Sequence, residues 1–454
     1  MTTLLIENGR IIDGAANAAF EGSVLVSEGR IEATGAAADK RAAEVNDLEK
    51  LDASGLTVMP GLIDVHCHLA FDDAESNAEL FFQRRNALSA LVASYNARKL
   101  LRAGVTGIVD PDSTFENMID LRDAIEAGIV EGPRMACGSY ALITSIGGTA
   151  GRLISNSGVT GYYMAVNGRE ELVAEVRRQI KNGADWIKVH VTGIVPRQAH
   201  RGEMCAWSDD ELRLIVGTAH DLDTPVMGHC RGADSTRRAA LAGFDFLLHA
   251  TGMDEAALEV VIDRKVPIAP TFTFQANLAD FGAKVGADPG LITLFAREIE
   301  DSAENMRRAY DAGVPLLTGS ESGFSMVPYG EWHYRELEVF VRYFGLTPLQ
   351  AIQCATETSA FGLKMSGEIG LIAAGYRADL ICVDGRPDED VTALGRPDAI
   401  RHVLIDGVKK DILPPPPRKP LAGWRIGVIG ARLDRNTAFG KTNTKGTIDI
   451  QELH

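Results

Sequence analysis

No apolar run in this 454-residue chain approaches the length a bilayer-spanning helix needs, which excludes that class of membrane protein. The opening MTTLLIENGRII lacks a basic stretch followed by an unbroken apolar one, so no secretory signal is expected and the reading is cytoplasmic. Positive charge is in deficit, 46 Lys and Arg against 62 Asp and Glu, for a formal charge of −16. Such a surface repels phosphate backbones and anionic headgroups, so neither nucleic acid nor a membrane is expected as a partner. The six cysteines (67, 137, 205, 230, 354 and 382) form no CxxC pair and no framework spacing, as expected of reduced, mostly buried thiols. Histidine is scarce, ten residues in all, so its placement carries information.

What is present reads as two kinds of pattern. Residues 1–56 contain short strands and turns (LLIENGRIID, SVLVSEGRIEATG), with ENGR and SEGR offering Gly where a tight hairpin needs positive φ. From residue 57 to 365, short apolar runs alternate with helical stretches such as NALSALVASYNARKLLRAG and SDDELRLIVGTAHD, several ending in Gly. Eight strand candidates fall there: 57–68, 105–111, 134–143, 186–191, 225–229, 244–249, 266–271 and 314–318. This alternation predicts an α/β fold, a (β/α)8 TIM barrel. Residues 366–412 return to strands and turns and are expected to pair with the N-terminal ones, making a small β-sandwich-like domain from both chain ends. PPPP opens an extended tail over 413–454.

Side chains alternate along a strand, so His66 and His68 in PGLIDVHCH share a face while Cys67 turns away from them. An HxH pair alone describes two polar residues at a barrel mouth as well as it describes two ligands. The other strand ends decide the matter. Strand five ends at His229 and strand six at His249. Strand four carries Lys188 and His190 on one face of WIKVHVTG, and strand eight ends in LLTGSESG, with Glu321. Function in such barrels sits at the C-terminal strand ends. Buried imidazoles and an inward lysine need partners, and a divalent cation satisfies several at once.

PGLIDVHCH, the strand-four lysine, the histidines closing strands five and six, and GLIAAGYRADLICVD together resemble the amidohydrolase superfamily, over residues 1 to about 412. The chain is most similar to its imidazolonepropionase- and prolidase-related branch, which includes dipeptidases and bacterial phenylurea and molinate hydrolases. The resemblance implies that His66 and His68 bind a first metal. It implies that Lys188, carboxylated on its amine, bridges to a second metal held by His229 and His249. In a one-metal enzyme His249 would instead bond the substrate. One or two divalent ions are implied, Zn first, with Co, Mn or Fe compatible with these donors. A metal-activated water would cleave a C–N bond in a urea, amide or carbamate, with Glu321 as the base, on a small apolar or aryl substrate such as a phenylurea. A homo-oligomer is expected.

The sequence departs from the family pattern at strand eight, where Glu321 stands in place of an aspartate. The extra methylene displaces the carboxylate by roughly 1.5 Å, one C–C bond. Either the backbone retreats, or Glu321 leaves the metal and a single ion sits on His66, His68 and His229. Arg231 either grips a substrate or forms a salt bridge at the strand end. His190 is a substrate hydrogen-bonder or acid, or else it supports its neighbours. The aromatic stretch GFSMVPYGEWHYREL is a lid, with Met326, Trp332 and Tyr334 facing an aromatic substrate, or a subunit interface. His200 is expected to be solvated. The rival activity is a dipeptidase or N-acyl amino acid hydrolase, with Arg231 on the substrate carboxylate. A deaminase lacks its usual acidic group after His229 or His249, and a non-catalytic scaffold would not retain four histidines and the lysine.

Overall fold

The computed structural model describes residues 3–74, 85–113, 116–148, 163–193 and 203–416, and two β-systems share them. The first is an eight-stranded sheet. Its order is Val408–Lys409, Ile400–Ile405, Leu380–Val383, Thr57–Pro60, Thr3–Ile11, Phe20–Ser27, Arg30–Thr34, with Leu48–Asp52 also pairing with Thr3–Ile11. Segments from residues 3–60 and 380–409 therefore hydrogen-bond into one sheet. SEGR is a two-residue hairpin turn: Ser27 pairs with Arg30, and Glu28 and Gly29 take φ of 52° and 80°. ENGR is not a turn. Thr3–Ile11 runs through it with a register shift between Ile6 and Gly9. Gly9 is needed for contact, since a Cβ there would lie 2.7 Å from Val58 Cγ2.

The second system is a ring of parallel strands. Leu62–Asp64 pairs with Val105–Asp110, which pairs with Arg134–Cys137. Ala141–Ile143 continues the third strand and meets Ile187–His190; Val226–Arg231, Phe246–Thr251 and Ile268–Ala269 follow. The eighth position, 314–318, closes the ring through a bridge from Leu316 to Ile268 and a 2.9 Å bond from the Val65 amide to the Thr318 carbonyl. The third strand breaks at Gly138, where a Cβ would lie 1.9 Å from the Pro111 carbonyl oxygen.

The stretch 57–68, expected as one barrel strand, is two. Thr57–Pro60 belongs to the small sheet, and the chain switches at Gly61, whose Cβ would clash with Thr106. The expected helices form where their caps demand. Ser208 and Glu211 make a reciprocal capping box at Asp209–His220, and Gly243 ends Ala233–Ala242 in the left-handed region. Trp186, Phe246, Leu248 and Leu317 pack inside the ring, and Trp186 Nε1 donates to the Gly362 carbonyl beneath it at 2.8 Å. Burial of Phe246 alone contributes roughly 1.5–3 kcal/mol. Arg134, on the third barrel strand, forks onto Asp379 at 2.6 and 3.0 Å and reaches Asp406 at 2.7 Å, tying barrel to sheet. His200 and the tail beyond residue 416 lie outside the described residues. No described helix is long and apolar enough to cross a membrane.

Candidate active site

The C-terminal ends of the barrel strands bring five of the expected residues into one buried arc. Ring centroids lie 4.9 Å apart for His66 and His68, 5.3 Å for His66 and His249, 4.4 Å for His229 and His249, and 5.1 Å for His190 and His229. Cys67 packs on the opposite face, in the layer between strands and helices, as the alternation requires.

Asp112 organises one side of this arc, and nothing in the histidine pattern pointed to it. Its Oδ1 accepts from Lys188 Nζ at 3.2 Å, its Oδ2 lies 2.9 Å from His190 Nε2, and its carbonyl accepts from His68 Nδ1 at 3.0 Å. Burial opposes its charge, but Lys188 and His190 outweigh that and hold the carboxyl well below the usual range. A carboxylate in VDPDS, just past strand two, was the available signal. Glu203 was missed as well. It immediately precedes Met204–Cys205, which pairs antiparallel with Thr192–Gly193. It meets His229 Nε2 at 2.9 Å and accepts from Thr192 Oγ1 at 2.7 Å. Burial would raise its pKa, yet His229 and Arg231 bring it down to about 2.

The donor set fits a metal. Among the described residues, His66 Nδ1 and His249 Nε2 are buried nitrogens without a hydrogen-bond partner. Ligand atoms of His66, His249 and Glu321 lie within 4.8 Å of one another, as do those of His66, His68 and Asp112. The tautomers suit ligation. Thr271 donates its hydroxyl proton to the Pro270 carbonyl, so it accepts from His249 Nδ1 and leaves the Nε2 lone pair facing the site. The Asp112 carbonyl can only accept, so His68 Nδ1 carries the proton and its Nε2 the lone pair. Burial keeps both groups neutral: the His68 pKa falls to about 4, and that of His249 lies well below its ordinary value.

Backbone strain gathers at the same place. His249, Ala250, Thr271 and Glu321, none of them glycine, take φ of 69°, 48°, 56° and 58° at the ends of strands six, seven and eight. Each such conformation costs on the order of 1–3 kcal/mol and persists where packing imposes it. At Glu321 the backbone N–H bonds the His66 carbonyl at 2.7 Å, and the side chain stands with the His66–His249 pair. Burial pushes the Glu321 carboxyl up to about 7, against the pull of Arg231 and Lys188. Asp64 fixes the two strands, accepting the amides of His66 at 3.1 Å and Ser320 at 2.9 Å and meeting His333 Nδ1 at 2.7 Å.

The three expected substrate residues lie elsewhere or are occupied. Trp332 and Tyr334 stack at 6.2 Å and line a cleft of about 1140 Å³ with Arg102, Arg396 and Pro414; none of the clustered histidines lines it. They point there because Trp332 packs on Phe281 and Tyr334 against Gly395. Arg231 forks onto Glu298, the salt-bridge alternative. A different set of rings borders the site. Phe71 stacks on His68 at 4.3 Å, followed by Phe324 at 5.4 Å, Phe274 at 5.5 Å and Phe295 at 6.0 Å, which ends under the Arg231 guanidinium at 5.3 Å.

Comparison with known proteins agrees with this geometry. The amidohydrolase family model matches residues 57–409. Ochratoxinase from Aspergillus niger is 27% identical over 375 residues, 77% of this chain and 75% of the relative. Imidazolonepropionase from Mycolicibacterium smegmatis is 27% identical over 413 residues, 85% and 91% of the two chains. The crystal structure of a Xaa-Pro dipeptidase with bound methionine in its active site superposes with a TM-score of 0.76 at 28% identity, covering 90% of this chain and all of that one. Phenylurea hydrolase B shares the fold, with a TM-score of 0.70 at 21% identity over 90% and 97% of the chains.

Proposed function

The chain belongs to the amidohydrolase family and is a hydrolase acting on C–N bonds, and from that premise we propose that its substrate is an uncharged amide, urea or carbamate bearing an aryl or other apolar group. One pair of residues carries the assignment of the centre: His66 and His249 each leave a buried imidazole nitrogen without a partner, and ligand atoms of the two lie within 4.8 Å of each other and of a Glu321 carboxylate oxygen. Unpaired buried polar groups are costly, and a divalent cation, Zn first among Zn, Co, Mn and Fe, would satisfy both. We assign His66, His68 and His249 as its holders, with Asp112, His229 and Lys188, as amine or carbamate, available for a second ion. When bound, the metal supplies a Lewis acid that polarises the carbonyl and acidifies water.

This chain's residues then divide the remaining work. Glu321 takes the water proton, a task suited to a carboxyl whose pKa lies near the working pH. It passes that proton to the leaving nitrogen, because an amide anion is too basic to depart. Hydroxide joins the carbonyl carbon, the C–N bond breaks, and an acid and an amine leave. Phe71, Phe324, Phe274 and Phe295 would pack an apolar group of the substrate beside His68. This ring wall supports the aryl reading; likeness to phenylurea hydrolase B extends only to the fold.

The test is metal counting with kinetics on an aryl urea, a thiocarbamate, an N-acyl amino acid and an Xaa-Pro dipeptide. Glu321→Ala should retain the fold and lose turnover on all of them; full activity in that variant removes Glu321 as the base. A second reading, a dipeptidase, is favoured by likeness to the Xaa-Pro dipeptidase and to a prolidase complexed with n-methylphosphonate-l-proline at 26% identity. It predicts that the dipeptide outperforms the aryl urea.

A further inference from the structure

A guanidinium at the mouth of a hydrolytic site is a natural grip for a substrate carboxylate, because its planar fork matches two oxygens. In this protein the Nε–Nη2 edge of that fork is already filled. Arg231 Nη2 donates to Glu298 Oε1 at 2.7 Å and to Oε2 at 2.5 Å, and Nε donates to Oε1 at 3.2 Å. Nη1 stands 3.9 Å from Glu203 Oε1. Phe295 lies under the guanidinium carbon at 5.3 Å. Phe295 and Glu298 are three residues apart on the helix Pro289–Asp311, so one helix face supplies both contacts. Strand five provides the cation, and the helix overhanging it decides how that charge is presented.

The local charge count has a consequence for substrates. One guanidinium faces two carboxylates, and the Arg231 and Glu298 side chains are 23% and 16% exposed, too sheltered for solvent to screen them fully. A carboxylate that takes the Nε–Nη2 edge must displace Glu298, and one that approaches Nη1 instead comes up against Glu203. A neutral group entering there displaces nothing.

We propose that Glu298 is a specificity-determining residue: it occupies Arg231 as a built-in stand-in for a substrate carboxylate, directing the site to uncharged C–N substrates and away from N-acyl amino acids and dipeptides. This deepens the proposed function and rests on it for the reaction. The charge preference itself is open to test by binding alone.

The test compares N-acetyl-L-phenylalanine with its primary amide on metal-loaded, full-length protein, by calorimetric binding and by kcat/KM where turnover occurs. The proteins are wild type, Glu298→Gln, and Glu298→Gln combined with Arg231→Met; circular dichroism and metal content report folding, and Glu298→Ala replaces Glu298→Gln if the latter does not fold. The affinity ratio of acid to amide should rise at least tenfold in Glu298→Gln and return to the wild-type ratio when Arg231 is also removed. A rise of less than tenfold, no acid binding by Glu298→Gln, or a rise that survives the loss of Arg231 overturns the proposal. Failure of the reaction assignment would appear separately, as no turnover of any C–N substrate by a protein whose binding ratio still responds to Glu298.

Discussion

The two sides of the barrel mouth carry similar residues in opposite states. On the side built by strands one, six and eight, His66 and His249 each leave a buried nitrogen without a partner, and Glu321 is held partly neutral by burial. On the side built by strands four and five, Lys188, His190 and His229 already have carboxylates, supplied by Asp112 and Glu203. The first side has unmet coordination and strained backbone; the second has satisfied its own charges. The difference teaches that a histidine count does not give a metal count. Whether a buried imidazole awaits a cation depends on whether a neighbouring carboxylate has reached it first. The same logic links Lys188 to metal content, because a carbamate there would set a second anion beside Asp112 and call for a cation between them.

The contrast can be broken most directly at its open side. His249→Ala should lose bound metal and lower kcat/KM by about 10³-fold or more, since Lewis-acid polarisation is worth several kcal/mol. His229→Ala should cost distinctly less metal, as measured by elemental analysis; equal loss from both would mean that the paired side holds an ion too. A disruption of the satisfied side should appear in stability. Asp112→Asn leaves Lys188 buried without its anion and should destabilise the metal-free protein by about 3–5 kcal/mol in a denaturant titration, with Lys188→Met restoring much of the loss.

A pH series sharpens the contrast. The Glu321 carboxyl is raised, so its neutral form is favoured in the folded, metal-free protein. Its contribution to stability is therefore full below about pH 4 and fades as pH rises through about 7. Glu321→Gln should abolish that fade in thermal melts across the interval. In the active enzyme, kcat/KM should rise with pH along an acidic limb at or below about 7, because a bound cation pulls the carboxyl down, and the limb should vanish in Glu321→Gln. The smallest effect belongs to the separate cleft: Trp332→Ala should change kcat/KM by less than about threefold, under ~0.7 kcal/mol.

Much of the site was legible in the chain because strands have a period of two. His66 and His68 had to share a face and Cys67 had to leave it, and the structure keeps that alternation. Lys188 and His190 came together by the same rule. Asp112 was not legible, because it lies beyond the end of strand two, where alternation no longer predicts direction. Phe71, Phe274, Phe295 and Phe324 come from four separate segments, and no periodicity joins them. Trp332 and Tyr334 misled because aromatic composition near a strand end says nothing about which cleft a loop turns toward. ENGR misled because positive φ at Asn8 serves a register shift as well as a turn.

Local pattern alone determined the strand–helix alternation, the return to short strands after residue 366, and the shared faces of His66 with His68 and of Lys188 with His190. These follow from backbone geometry repeated over short spans. Tertiary structure decided which imidazoles are paired and which are open, that strands from residues 3–60 and 380–409 share one sheet, that Glu321 stands with His66 and His249, and that Glu298 takes the Nε–Nη2 edge of Arg231. Those outcomes are set by through-space distances of a few ångströms between residues tens to hundreds of positions apart, and Coulomb and hydrogen-bond energies depend on those distances and not on separation along the chain.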